Sequence, residues 1–203
     1  MALSDIDICN VALYAVGAKA IQSFSEDSKS SRACQAFYGL TRDLLLEEFD
    51  WNFARKFKAL TVIDLPTEEK PEIRFAYQLP ADCVSPRKLW PYLQRDYWEV
   101  LGDKLYCNRE EDVSLYYTSA ITNSQLFSVA FANTLAGALA TKLASIVAQD
   151  KALAKSLYEV HLLEKTAAFA MDANANNSYR GYDESPEADS FVNPDLQNYV
   201  NGY

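Results

Sequence analysis

Apolar positions along the chain change period twice, from helical spacing to alternation and back again. Ile8, Val11, Ala12 and Ala15 recur at helical spacing, which predicts a first helix over residues 3–16 with those side chains on its buried face. Ser4, followed three positions later by Asp7, is a start signal. The hydroxyl accepts a backbone N–H, and the carboxylate favours the positive end of the helix. Gly17 suits a left-handed stop. After "SEDSKSS", Asp27 or Ser28 is placed to cap a second helix that runs to about Phe49. Its predicted apolar stripe is Ala33, Ala36, Phe37, Leu40 and Leu44, with Arg32, Gln35, Arg42 and Glu47 largely outside it.

The stretch "EEFDWNFARKF" ends this pattern with a large indole and a phenyl ring around an asparagine. Alternation follows. "FKALTVI" is bulky and β-branched, and "IRFAYQL" sets Ile73, Phe75, Tyr77 and Leu79 against Arg74, Ala76 and Gln78 until Pro80 stops it. "YWEVLGDKLYC" reads as a hairpin turning on Gly102 and Asp103, and "VSLYYTS" alternates once more. Residues 57–119 are therefore expected to form a small antiparallel β domain.

Helical spacing then returns over residues 126–148. Phe131, Leu135, Leu139, Leu143 and Val147 form a large ridge, and Ala132, Ala136, Ala140, Ala144 and Ala148 a small one beside it. Adjacent large and small ridges let another helix approach closely. The expected partner is a fourth helix from about Lys151 to Asn176, with Leu153, Leu157, Val160, Leu163 and Ala167 on one face. The same stretch is about long enough to span a bilayer. Asn133, Thr134, Thr141 and above all Lys142 would be costly there, so a buried helix is the better reading.

The fold class expected is thus α+β. A mainly helical bundle of four helices, two N-terminal and two long C-terminal, occupies 1–56 and 120–176. The antiparallel β domain, 57–119, is inserted between them, and an extended arm covers 177–203. The arm has little periodicity, one Arg and five acidic residues, too little to fold alone. Its spaced rings, Tyr179, Tyr182, Phe191, Tyr199 and Tyr203, suit anchors that dock on a partner.

Composition narrows the chemistry. Among 203 residues the formal charge is −9, which repels rather than grips a phosphate backbone. Cys9, Cys34, Cys83 and Cys107 contain no CxxC pair, consistent with a reducing compartment and no disulfide framework. The single histidine, His161, has no second ligand at metal spacing, and no GxSxG elbow or GxxxxGK[ST] loop occurs. No catalytic residue, cofactor or metal is expected. Carboxylate groupings (Glu47 with Glu48, Glu68 with Glu69, Glu110 and Glu111 with Asp112) leave one enzymatic alternative, a glycan-cleaving activity. Solvated charge is the favoured reading of those groupings.

Two segments carry a family resemblance. They are the RD–WNFA run (Arg42, Asp43, Trp51, Asn52, Phe53, Ala54) and YQLPADC (Tyr77 to Cys83), in an order of helices and strands covering residues 3–176. Together they resemble the tail tubular protein A family, the head-to-tail adaptors of short-tailed bacteriophages. Asp50 stands where family members often have proline before the tryptophan. The resemblance implies a structural virion protein with no enzymatic activity, made in the host cytoplasm and placed at the head–tail junction; the alternative is a virion-associated cell-wall hydrolase that uses two of the carboxylates. Its copies would form a ring, a dodecamer, between the portal protein and a tail nozzle protein similar to tail tubular protein B. Tail fibres are a further implied partner, DNA passes through the ring without specific binding, and no membrane is involved. Within that picture Trp51, Phe53, Tyr77 and Leu79 are expected as structural core, with Trp51 and Phe53 filling the junction of helices and sheet. Asn52 is expected to bond backbone groups left open at the end of the second helix. Ala132, Ala136, Ala140, Leu135, Leu139 and Leu143 are expected to pack helices, and the arm's rings to dock on portal or an adjacent subunit.

Overall fold

A computed structural model of the chain describes residues 3–63, 74–91, 97–110 and 112–175. It is mixed α and β, with four helices and two small antiparallel sheets among the described residues. Helix α1 (Asp5–Ala15) begins with a complete capping box: the Ser4 hydroxyl accepts from the Asp7 N–H, and the Asp7 carboxylate accepts from the Ser4 N–H. It stops at Gly17, whose φ of 69° lies in the left-handed region. Helix α2 (Lys29–Glu48) is capped by the Ser28 hydroxyl.

Helix α3 (Val129–Leu143) runs directly into a π-helical turn, Ala144–Ala148, closed by Gln149 with φ 57°. Asp150 then accepts two backbone N–H groups and starts α4 (Lys151–Ala175). Helix α3 is the hub, packed against α1, α2 and α4. Its two ridges do bury Phe131, Leu135, Leu139 and Leu143 together with Ala132, Ala136, Ala140 and Ala144. The π turn ends both ridges early, leaving Val147 half-buried and Ala148 exposed, because a wider turn breaks the four-residue repeat. By length and hydropathy Val129–Ala148 would also suit a bilayer, yet 50% of that window is buried inside the protein.

The other helices bury only part of the face their spacing predicts: Ile8 and Ala12 of α1, Ala33 and Phe37 of α2, and Leu153 and Leu157 of α4 pack inward, and the rest of each face does not. In α1 the core takes Ile8, Cys9, Ala12 and Leu13, while Val11 and Ala15 face outward. In α2 it takes Ala33, Cys34, Tyr38, Leu45 and Leu46, while Ala36, Leu40 and Leu44 are exposed. In α4 the inward residues are Leu153, Leu157, His161, Ala168, Phe169 and Asp172, and Val160, Leu163 and Ala167 are exposed. Each helix carries two apolar stripes, and α3 covers only one of them.

The strands lie between α2 and α3 in sequence. They are β1 (Arg55–Ala59), β2 (Val62–Ile63), β3 (Phe75–Gln78), β4 (Cys83–Trp90), β5 (Trp98–Leu101), β6 (Lys104–Cys107) and β7 (Ser114–Ser119). They make two sheets where one is expected, in the orders β1-β7-β4 and β2-β3-β6-β5. Leu101 pairs with Lys104 across the two-residue turn at Gly102 and Asp103, as the hairpin spacing requires. Strand β4 has no counterpart in the alternation pattern. It contains Pro86, tolerated because β4 is an edge strand, and its pairing with β7 skips Val84 and Arg87. Tyr77, Leu89, Leu105, Leu115 and Tyr117 form the strands' own core, separate from the helical one.

Candidate functional site

The helix–sheet joint is built from the RD–WNFA segment upward. Past the end of α2, the chain drops Trp51 into the helical core, then makes a 3-10 turn, Asn52–Ala54, before β1. Trp51 is fully buried, with Phe49, Phe131 and Phe169 edge-on at 5.1–5.4 Å between ring centroids. Phe53 is half-buried against Phe127 and Phe131. Both rings therefore belong to the helical core rather than to a plug between helices and sheets. Tyr77 (buried) and Leu79 (half-buried) sit in the strand core, so the structure does not bring these four residues together.

The open carbonyls at the end of α2 are met by residues other than Asn52. Trp51 Nε1 donates to the Leu45 carbonyl at 2.8 Å. Arg87, the bulged residue of β4, donates to the carbonyls of Leu46 (3.2 Å) and Glu47 (3.0 Å), and its Nε donates to Thr118 Oγ1 at 2.8 Å. A β-bulge re-aims a side chain, and a guanidinium suits the negative end of a helix. Burial lowers the Arg87 pKa, opposed by Asp50 nearby. Nothing in the local sequence marks Arg87 for this role, because its partners lie about forty residues earlier. Asn52 instead ties the joint to α4: its N–H donates to the Asp172 carboxylate at 2.9 Å and its side-chain amide donates to the Asp172 carbonyl. Burial pushes the Asp172 carboxyl up, while the Asn52 N–H and Arg55 pull it down. Arg55 pairs with Asp50 at 2.8 Å, and Ser119 Oγ closes the joint on the Ala54 carbonyl.

The six helix-packing residues, Ala132, Ala136, Ala140, Leu135, Leu139 and Leu143, are all buried in the monomer's own core. The apolar side chains left over are those of the outer stripes. Val11 and Tyr14 on α1, Leu40 and Leu44 on α2, and Val160, Leu163 and Met171 on α4 are between 45% and 76% exposed. The arm rings, Tyr179, Tyr182, Phe191, Tyr199 and Tyr203, lie outside the described residues, as do Glu68, Glu69 and Glu111.

Of the remaining carboxylates, Glu48 pairs with Lys165 at 2.5 Å, and Glu47 and Asp112 face solvent. A cavity of about 620 Å³ opens between the sheets, with Lys58, Gln78, Cys83 and Asp103 in its walls. Cys9 and Cys34 are buried side by side, and all four cysteines are free. The hydrogen bond to Cys34, then burial, holds the Cys9 thiol protonated. No group of three potential metal ligands occurs among the described residues. No protein-family model matches the chain, and no curated protein matches it.

Proposed function

We propose that this chain is a structural virion protein, a head-to-tail adaptor of a short-tailed bacteriophage. In this reading the helices form the body of a ring between portal and tail nozzle, and the strands form a unit inserted into that body. The observation that carries it is the second apolar stripe on α1, α2 and α4. A single copy leaves Leu40, Leu44, Val160 and Leu163 in water, and such faces on a folded chain mark contacts with other chains. The exposed stripes lie on three separate helices, which suits a contact in which each copy offers one face forwards and another backwards. Such contacts close into a ring when the rotation per copy allows it. A formal charge of −9 suits a channel that lets DNA pass without holding it.

Electron microscopy of the purified protein mixed with portal tests the proposal. Rings are expected on portal with the parent chain and absent with a Leu40→Asp, Leu44→Asp variant that keeps its circular dichroism spectrum. Absence of rings with the parent chain across a range of salt concentrations would refute it.

A further inference from the structure

The packing of α4 on α3 includes one close approach. Gly137 of α3 lies against the His161 ring of α4: a Cβ at Gly137 would stand 3.0 Å from His161 Nδ1. A side chain at that position would need the ring to give way, so glycine sets the spacing and the imidazole fills it. His161 is only 6% exposed. Of its two ring nitrogens, Nδ1 alone is both sealed from water and without a hydrogen-bond partner among the described residues. The neutral ring fits this site, because its proton can sit on Nε2 and leave Nδ1 bare. The protonated ring does not fit. It carries N–H on both nitrogens, and one of them would be pressed against Gly137. The Gly137 carbonyl already accepts from Thr141 Oγ1 at 3.1 Å.

The charges around the ring do not offset its burial. Glu164, on the next turn of α4, brings a carboxylate oxygen to 3.8 Å from the same Cβ position, but its side chain is exposed and its charge is screened by water. Lys165 of α4 and Glu48 of α2 pair with each other at 2.5 Å. Val11 and Ala15 of α1, with Asn133 and Ala136 of α3, bring no charge to the groove beside the ring. Burial first, then Lys165, lowers the His161 pKa, and Glu48 raises it. The closed contact therefore binds a proton more weakly than an opened one, in which the hydrated ring titrates near its usual 6.5. Above 6.5 the ring is neutral in both forms and the contact has its full strength. As pH falls below 6.5 the opened form gains the proton first, and the contact weakens until the closed form's own lower value is reached. Asp172, further along α4, acts in the opposite sense, since its raised pKa favours the closed form in acid.

We propose that His161 and Gly137 form an acid-operated latch: a proton on the imidazole drives α4 away from α3 at this point, and its loss lets the two helices close again. Opening uncovers Ala136 and Ala140 of α3 beside Leu157 and Val160 of α4, so acid adds apolar surface to that already exposed on α4. The latch belongs to the isolated chain and stands whether or not the ring assembly above is correct.

Amide hydrogen exchange on the full-length chain, corrected for intrinsic rates and run from pH 5 to 8, reads the latch. Protection of the α3 and α4 amides around Gly137 and His161 is expected to be level above pH 6.5 and to fall by up to about tenfold per pH unit below it. His161 is the single histidine, so long-range ¹H–¹⁵N correlation gives one set of imidazole signals, with a midpoint expected below 6.5. His161→Leu, which cannot take the proton, is expected to lose the acid step; His161→Gln, also neutral, replaces it if the Leu variant does not fold. A midpoint at or above 6.5 would overturn the proposal. Protection that stays level through the midpoint would overturn it too, since the proton would then be held with the helices closed. So would an equal fall in the parent and the neutral variant, which would place the acid response elsewhere.

Discussion

Removing the Trp51 side chain tests the joint most directly. The indole is completely buried, holds three aromatic rings edge-on and donates 2.8 Å to the Leu45 carbonyl. Trp51→Ala leaves a cavity among rings fixed by α2, α3 and α4, and such truncations cost about 3–5 kcal/mol. The Leu45 carbonyl loses its indole donor, which adds about 1 kcal/mol or more unless water enters the cavity. A total on the order of 4–6 kcal/mol compares with about 5–15 kcal/mol for a whole domain. At roughly 2–4 °C per kcal/mol for a chain of this size, Tm is expected to fall on the order of 10–20 °C. Circular dichroism melts and urea titrations of the purified protein measure it, with a lower midpoint at similar slope expected. Trp51→Phe keeps a ring but loses the N–H and part of the volume, so it is expected to fall between parent and Ala. A Tm for Trp51→Ala within about 2 °C of the parent would refute the packing argument. Equal losses for Phe and Ala would refute the share assigned to the ring.

Arg87→Ala removes charged hydrogen bonds to two α2 carbonyls and is expected to cost on the order of 2–3 kcal/mol. Arg87→Lys should recover only part of this, since an ammonium cannot reproduce the fork; urea midpoints compare the three. At Asp172, the folded chain binds its proton more tightly than the unfolded chain, whose carboxyl titrates near 3.8. Stability from this group is therefore fully present below that value and is lost as pH rises through the raised folded pKa. Asp172→Asn, which can still accept from the Asn52 N–H, should flatten that slope in urea titrations run from pH 4 to 7. Asp172→Ala should instead lose about 1–3 kcal/mol, because the Asn52 N–H is left unpaired.

What the sequence makes legible is the chemistry that is local. Ser4 with Asp7, Ser28, Gly17 and the Gly102–Asp103 turn are each decided by neighbours within a few residues, and each has its expected role. The α3 ridges were readable because that helix is apolar nearly all round, so almost any face is a buried face. On α1, α2 and α4 two stripes compete, and periodicity cannot say which one α3 will cover. On α2 the exposed Leu40 and Leu44 made the more regular pattern, while Tyr38 and Thr41, the polar-tipped members of the buried face, disguised it. Strand β4 does not show in the alternation pattern because Pro86, Arg87 and Lys88 break it at the bulge. At the joint, Trp51 was legible as a core residue, but the partners of Arg87 and Asp172 were not. Those contacts join segments about 40 and 120 residues apart.

The bulge at Arg87 also bears on mechanics. A sheet joined to a helix only by a turn can swing on that turn at little cost. Here a second tether from the middle of β4 reaches the helix terminus, so the swing is blocked unless charged bonds break first. A tug on the strands thus reaches the end of α2 through Arg87 as well as through the chain, and Arg87→Ala would leave the Ser119–Ala54 bond to resist the swing without it.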